Sequence, residues 1–188
     1  GSEYDTTYTK IKAIKLNKDD KIIDVKITDE NNQILLGTHN GKAIRFNSDT
    51  VNDTGRNTKG SKGIKLENKD QVINMNVIKD NNSNKHVIAV TESGKGHKTK
   101  LNNYSTQKRN GKGLNVTAAS NYHISGIITA NDNDHLLITT EGEQVHIISV
   151  EEITEVDLPG YMYELIDLEK DDKINAVNFL PNYTTDVE

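Results

Sequence analysis

The sequence predicts an all-β protein built from propeller-like repeats of about 50 residues, a partial assembly of about three to four blades. Two landmarks support this prediction. Short apolar triplets begin at Ile14, Ile64, Leu114 and Ile166, so successive triplets lie 50, 50 and 52 residues apart. Between them, a strand, a polar turn with glycine and a second strand recur, with the glycines at 41, 94 and 142. A period of about 40 to 50 residues is typical of propeller blades and other stacked units.

Alternating apolar residues predict short strands along the whole chain, and no segment shows a sustained helical period. The Asn40-Gly41 pair is a strong signal for a hairpin turn between two of these strands. Single helical turns are expected at 48–51 and 149–155. The predicted strands are 10–16, 22–27, 34–38, 43–46, 72–78, 86–91, 98–101, 114–118, 124–129, 135–140 and 145–150.

The 188 residues suffice for one domain with a real core. We interpret residues 1–9 as a tag remnant with a disordered lead, 10–180 as the blades and 181–188 as an acidic tail. Repeats are placed at about 17–66, 67–116 and 117–168. The first strand has the character of one that elsewhere follows a basic loop. We therefore expect the chain to start part-way through a repeat, as a fragment of a larger domain.

Composition excludes several classes of site. Cysteine is absent, so neither a disulfide framework nor a thiolate metal site is possible. No apolar run reaches membrane-spanning length. The six histidines lack zinc-type pairing. The Gly94–Thr99 segment hints at a phosphate loop, but it lacks the Gly-Lys-Thr ending and a following helix. We predict no catalytic residue, no metal ligand and no cofactor in this chain.

Charge is distributed unevenly along the chain. The formal net charge is −5, yet residues 54–116 hold thirteen Lys and Arg against four Asp and Glu, a net of +9 that leaves −14 for the rest. From Glu151 onward only Lys170 and Lys173 oppose the acidic residues. A basic middle indicates a polyanion-binding face, and the acidic end would repel or compete. The alternative is that both charge runs are ordinary solvated surface.

Two stretches place basic residues among glycines just before a short apolar strand. The first is 54–66 and the second is 108–116. Aligning Gly63 with Gly113 puts Lys62 opposite Lys112 and Lys59 opposite Arg109. Such a loop, repeated at a fixed period, predicts cations presented in a row.

These residues together resemble the C-terminal domain of the DNA gyrase A protein and of its topoisomerase IV relative. The segments 40–46, 54–66 and 90–99 follow the family pattern in step, and the resemblance covers about residues 10 to 180. The segment 107–113 resembles the family's Gln-Arg-Arg-Gly-Gly-Lys-Gly heptad, with Asn110 replacing a glycine. It lies in a later blade than the family's heptad does. The last repeat, 157–168, has lost its basic residues.

The resemblance implies a β-pinwheel, in which neighbouring blades exchange a strand. It implies non-specific binding and chiral wrapping of double-stranded DNA that support supercoiling, with the gyrase B protein as a partner in the full enzyme. Catalytic residues, ATP and Mg would belong to other parts of that ATP-dependent topoisomerase. The isolated domain is expected to be monomeric, without membrane contact, in the bacterial cytoplasm or nucleoid. A bacterial-derived organelle such as a plastid is the alternative.

Phosphate contacts of lysine and arginine give affinity largely without reading sequence. Lys42 and Arg45 are weaker candidates, and the loop glycines are expected to serve turn geometry. The main rival is a propeller-like protein-interaction module whose acidic end binds a basic partner. The predicted DNA-contacting residues are Arg56, Lys59, Lys62, Lys65, Lys95, Lys98, Lys100, Lys108, Arg109 and Lys112.

Overall fold

In a computed structural model of the chain, residues 13–67, 69–79 and 85–182 are described. The predicted lead 1–9, positions 10–12 of the first predicted strand and the tail from 183 lie outside these residues. The described residues form three antiparallel sheets, which confirms the all-β prediction. The strands are β1 (Gln33–Thr38), β2 (Lys42–Asn47), β3 (Val72–Ile78), β4 (His86–Thr91), β5 (Lys95–Lys100), β6 (Leu114–Asn115), β7 (Ile124–Ala130), β8 (His135–Thr140), β9 (Val145–Ser149), β10 (Tyr163–Glu164) and β11 (Ile174–Leu180).

Each sheet is one blade built around a hairpin. The hairpins are β1–β2, β4–β5 and β8–β9, and a later strand returns to pair with the first strand of each: β3, β7 and β11. We call these returning strands the inner strands. The two-residue strands β6 and β10 cross over from the next repeat and add to β2 and β5. Adjacent blades therefore exchange a strand, as the resemblance to the β-pinwheel implies.

The inner strands pack against one another across blades. Between β3 and β7, asparagine side chains take the place of a backbone ladder: Asn74 Oδ1 accepts from the Ile127 amide at 2.8 Å, and Asn76 Oδ1 accepts from the Thr129 amide at 3.0 Å. Between β7 and β11 the strands approach closely at Gly126, where an added Cβ would lie 2.6 Å from Val177 Cβ. These contacts hold the three blades together at their inner edges.

The hydrophobic core lies between the sheets. One buried cluster joins the first and second blades and includes Leu35, Val87 and Ile127, and a second joins the second and third and includes Ile88, Leu136 and Val177. The members of these clusters are almost entirely removed from water. Burial of a fully enclosed aliphatic side chain contributes about 1.5–3 kcal/mol. The core therefore depends on neighbouring blades, because neither face of a blade is buried by that blade alone.

The structure corrects the alignment of the repeats. Left-handed backbone torsions recur at Asn57 and Asn110 (φ 66° and 65°) and at Gly60 and Gly113 (φ 74° and 73°). Gly113 is therefore the counterpart of Gly60, 53 residues earlier, and not of Gly63. The hairpin turns agree, since positive φ recurs at positions 41, 94 and 143. The blades span 33–78, 86–130 and 135–180, so they are shifted relative to the repeat limits expected from sequence.

Two predicted strands do not form. Residues 13–16 and 22–27 carry no strand pairing in the structure. By alignment, 22–27 corresponds to the inner strands β3, β7 and β11, each of which pairs with the first strand of a hairpin. Within the described residues, 22–27 meets no such strand, and its apolar Val25 and Ile27 are 80% and 90% exposed. Alternation predicts the tendency to form a strand, but the strand itself needs a partner.

The remaining predicted elements agree with the structure apart from their limits. The helical turns expected near 48–51 and 149–155 are single 3-10 turns at Ser48–Thr50 and Val150–Glu152, and a third, unpredicted turn lies at Leu101–Asn103. All three follow the second strand of a hairpin. The predicted strand 114–118 shortens to β6, because only two residues meet the edge of β2.

Candidate nucleic-acid interface

Three equivalent loops connect each 3-10 turn to the strand that crosses to the preceding blade. We name them loop A (54–60), loop B (107–113) and loop C (156–162). Loop B starts with the Gln107 amide donating to Arg45 O at 2.7 Å, and loop C starts with the Val156 amide donating to Lys98 O at 2.9 Å. Loops A and B share the same left-handed torsions. The sequence thus builds the same loop three times, and only its side chains differ.

Loop B lies directly beside the segment that leaves loop A. The Asn110 amide donates to Gly63 O at 2.7 Å, and the Lys65 amide donates to Gly111 O at 2.9 Å. These backbone bonds place residues 62–65 and 108–112 side by side, and we call this region junction B. It brings together four exposed lysines, which are Lys62, Lys65, Lys108 and Lys112.

Arg109 anchors junction B by its guanidinium. Its Nε donates to Thr50 O at 2.9 Å and its Nη1 donates to Lys62 O at 2.7 Å. The side chain therefore ties loop B to two points of the preceding loop. Because these bonds engage two of its five donors, Arg109 retains donors for an anion while it holds the surface in place.

Loop A makes an equivalent contact with the start of the described chain. The Lys15 amide donates to Thr58 O at 2.9 Å, which matches the bond from Lys65 to loop B. Exposed Lys15 and Lys59, and half-buried Arg56, therefore lie in one region. Sequence reasoning missed Lys15, although its place in the first triplet, where Lys65 stands in the second, was a usable signal.

Loop C repeats the backbone but not the charge. The Ala118 amide donates to Gly160 O at 2.9 Å, in the same manner as Lys65 to Gly111. Lys112 of loop B is replaced here by Tyr161, which is 71% exposed, and the neighbouring β10 residue Tyr163 is 45% exposed. This agrees with the predicted loss of basic residues in the last repeat.

The assignment of Lys98 to a DNA-contacting surface is corrected by its burial. Its Nζ lies 2.7 Å from Asp132 Oδ1, 3.0 Å from Val150 O and 3.3 Å from Glu151 O, and the residue is 6% exposed. A buried ammonium with three acceptors is committed to the fold, because leaving them uncovers an ion pair in a dehydrated site.

Arg45, a weaker candidate from sequence, is likewise buried. Its guanidinium donates to Gln33 Oε1 at 2.7 Å and to the carbonyl oxygens of Leu101 and Tyr104 at 3.2 and 3.3 Å. Desolvation lowers the pKa of Arg45 from its very high ordinary value. The sequence showed a cation in a strand, but its partners come from the next blade and could not be read locally.

Lys95 and Lys100 lie apart from junction B, against acidic residues around loop C. Lys95 Nζ is 3.6 Å from Glu164 Oε1, and Lys100 Nζ is 3.5 Å from Glu155 Oε1. Lys42 is paired similarly, with Glu67 at 3.6 Å. These are exposed ion pairs of small net energy. A phosphate would have to displace a carboxylate at each of these lysines.

A charged network stands behind this region. His86 Nε2 is 2.8 Å from Glu155 Oε2, and His86 Nδ1 is 3.3 Å from Asp132 Oδ1. The hydrogen bond from His86 lowers the pKa of Glu155, and the hydrogen bond from Lys98 lowers the pKa of Asp132. The network therefore stabilises the contact between the second and third blades while these carboxylates are ionised.

The predicted set is thus divided by the structure into three groups. Junction B collects Lys62, Lys65, Lys108, Arg109 and Lys112, and loop A holds Arg56 and Lys59. Strand β5 holds Lys95, Lys98 and Lys100 near carboxylates. Within the described ranges, no cluster of three or more His, Asp or Glu has the arrangement of a metal site. No helix among these residues is long and apolar enough to cross a membrane.

Strand-exchanged blades of this kind, with basic loops along the blade junctions, define a propeller-type repeat domain. The family described as "DNA gyrase C-terminal domain, beta-propeller" matches residues 2–29, 32–79 and 85–137, which is more than half of the chain. The chain therefore belongs to the DNA gyrase C-terminal domain family.

Relatives of known name agree with this assignment. The DNA gyrase A protein of Haloquadratum walsbyi is 38% identical over 175 residues, covering 92% of this chain and 20% of the relative. The DNA gyrase A protein of Staphylococcus epidermidis is 33% identical over 145 residues, covering 76% of this chain and 16% of the relative. The chain thus spans about a fifth or less of the length of these relatives.

Solved structures show the same fold. The C-terminal domain of DNA topoisomerase IV superposes with a TM-score of 0.88 at 26% identity, covering 95% of this chain and 56% of that chain. The DNA gyrase A C-terminal domain superposes with a TM-score of 0.78 at 21% identity, covering 89% and 57%. These likenesses confirm the β-pinwheel prediction.

Proposed function

We propose that this chain binds double-stranded DNA without sequence preference and bends it along the blade junctions, as a DNA-wrapping domain of a gyrase A protein. Junction B carries the proposal. Backbone hydrogen bonds hold its four exposed lysines in one surface before any ligand arrives, and Arg109 fixes that surface from behind. Pre-positioned cations gain affinity from phosphates by releasing counterions.

Repetition is what turns binding into bending. Loop A and loop B present arginine and lysine on successive blades with the same backbone torsions. A duplex that follows both loops must change direction with the blades. Smooth bending of a short duplex costs on the order of several kcal/mol, which contacts repeated from blade to blade can offset.

The wider role follows from the family. Gyrase A relatives suggest that this domain serves a DNA topoisomerase by supporting supercoiling. In that setting, DNA cleavage, ATP and Mg belong to other parts of the enzyme, the gyrase B protein is the partner, and the location is the bacterial cytoplasm or nucleoid. These statements extend to this chain by analogy with its family.

Equilibrium binding to a labelled random-sequence duplex across a salt series tests the proposal. We expect affinity that falls steeply and linearly with the logarithm of salt concentration, together with equal affinities for unrelated sequences. Absence of binding at low salt, or affinity insensitive to salt, would reject DNA as the ligand.

A second candidate function is favoured by loop C. There, exposed Tyr161 and Tyr163 lie near Glu164 and Glu155, and the basic residues are missing. Exposed tyrosines among carboxylates suit a basic protein partner. A partner captured by the chain that persists after nuclease treatment, and is lost on Tyr161→Ser, would support this function.

A further inference from the structure

The second strands of the first two hairpins carry a buried cation at the same place. Arg45 is opposite Leu35 in the first hairpin, and Lys98 is opposite Ile88 in the second, 53 residues further along the chain. Arg45 is 7% exposed and Lys98 is 6% exposed. A buried charge persists only with several partners, so the partners of these two side chains indicate their role.

Both cations reach out of their own blade into the 3-10 turn of the next. Arg45 Nη1 donates to the carbonyl oxygens of Leu101 and Tyr104 at 3.2 and 3.3 Å. Lys98 Nζ donates to Val150 O at 3.0 Å and to the following carbonyl at 3.3 Å. Each pair of oxygens belongs to a turn that leads into a loop: Leu101–Asn103 precedes loop B, and Val150–Glu152 precedes loop C.

Arg45 therefore holds the start of loop B at two points. Its side chain fixes the turn, and its carbonyl oxygen accepts from the Gln107 amide, which is the first residue of the loop. Gln33 Oε1 in turn accepts from Arg45 Nε at 2.7 Å and orients the guanidinium. Loop B contains two of the four exposed lysines of junction B, so its placement decides how those cations meet a duplex.

We propose that Arg45 is a positioning residue for DNA binding: it does not touch phosphate, but it holds loop B so that Lys108 and Lys112 stand beside Lys62 and Lys65 before DNA arrives. This inference rests on the proposed function. Lys98 makes the same connection to loop C, which lacks lysine and arginine, and so has no equivalent effect on DNA affinity.

Three variants test the inference. In Arg45→Met the loop must be ordered during binding, so we expect affinity for a duplex to fall about five- to ten-fold, which follows from the cost of ordering a loop. The slope of affinity against salt should stay unchanged, because every phosphate contact is still available. Arg45→Lys should restore most of the affinity, since a lysine already makes the equivalent connection at position 98. Lys98→Met, the matched control, should stay within about two-fold of the parent.

Three results would overturn the inference. Wild-type affinity in Arg45→Met would mean that loop B is placed without the contacts of Arg45. A salt slope lower by about one would mean that Arg45 binds phosphate itself. Equal losses in Arg45→Met and Lys98→Met would mean that both act only through overall stability.

Amide hydrogen exchange without DNA separates this inference from the proposed function. The Asn110 and Gly111 amides should exchange faster in Arg45→Met, while the strand amides of β7 stay protected. If the parent chain binds no DNA, the proposed function fails, and the exchange result still decides whether Arg45 positions loop B. If Arg45→Met does not fold, Arg45→Gln, which keeps a neutral donor, takes its place in both measurements.

Discussion

Removing the four exposed lysines of junction B should flatten the salt dependence of DNA binding. The variant replaces Lys62, Lys65, Lys108 and Lys112 by alanine simultaneously. All four are exposed. Within the described residues, the ion pairs that the structure forms involve other lysines. Their replacement should therefore leave the folded state almost unchanged and act on the ligand.

The size of the effect follows from counterion release. Each lost phosphate contact lowers the slope of log affinity against log salt by about 0.9, so four contacts lower it by about 3.6. Between about 50 and 200 mM salt, the parent should therefore lose roughly a hundredfold more affinity than the variant. At low salt the variant should bind much more weakly, and the two affinities should converge as salt rises.

Fluorescence anisotropy with a labelled duplex measures both slopes. The matched control replaces four other exposed lysines, Lys21, Lys79, Lys170 and Lys173, by alanine and changes the net charge equally. We expect its slope to stay close to that of the parent. Equal slopes for the two variants would contradict this prediction, because binding would then depend on total charge and not on junction B.

The other predictions concern the scaffold. Gly113→Ala should lower the free energy of unfolding by about 2 kcal/mol or more, since φ is +73° and the new Cβ would lie 2.6 Å from a backbone oxygen of β2. Asn76→Leu should cost about 2–4 kcal/mol, because it leaves the backbone groups of β7 that Asn76 bonds unpaired. Burial lowers the pKa of His97, so the folded chain keeps it neutral while the unfolded chain takes up a proton. The melting temperature should therefore fall as pH drops through the ordinary histidine range, and less so in His97→Met.

Each of these has a control in the chain. Gly60→Ala meets the same positive φ without the clash, as its Cβ would approach only Ile14 Cδ1 at 3.9 Å, so it should cost less than Gly113→Ala in chemical denaturation. Asn178, the exposed counterpart of Asn76 on β11, should tolerate leucine. Equal losses within either pair would contradict the assigned contacts. An unchanged pH dependence of melting in His97→Met would remove His97 as its source.

Much of the fold could be predicted because the repeat is visible in the chain. The glycine turns of the three hairpins mark the blades, and alternation predicts nearly all their strands. The offset between repeats could not be found, because short apolar triplets are too similar to fix it. Only the positive φ shared by Gly60 and Gly113 shows that three extra residues separate loops A and B.

The site was predicted less completely, for a physical reason. Charge and glycine content identify Lys62, Lys65, Lys108 and Lys112 because exposed loop residues depend little on distant contacts. The role of Arg45 and Lys98 depends on carbonyl oxygens more than 50 residues away, which local pattern does not reveal. Lys15 shows the reverse error, since its place beside loop A is set by one backbone bond to Thr58.

Wrapping is tested most directly by closing a nicked circular DNA with ligase while this chain is bound, over a salt series. DNA that follows the basic loops around successive blades must be deflected with one hand, so we expect a change in linking number of constant sign that grows with bound protein and fades as salt rises. The quadruple lysine variant of junction B should lose the change at salt concentrations where the control quadruple keeps it. Full binding of the parent chain with no change in linking number would contradict wrapping by these blades.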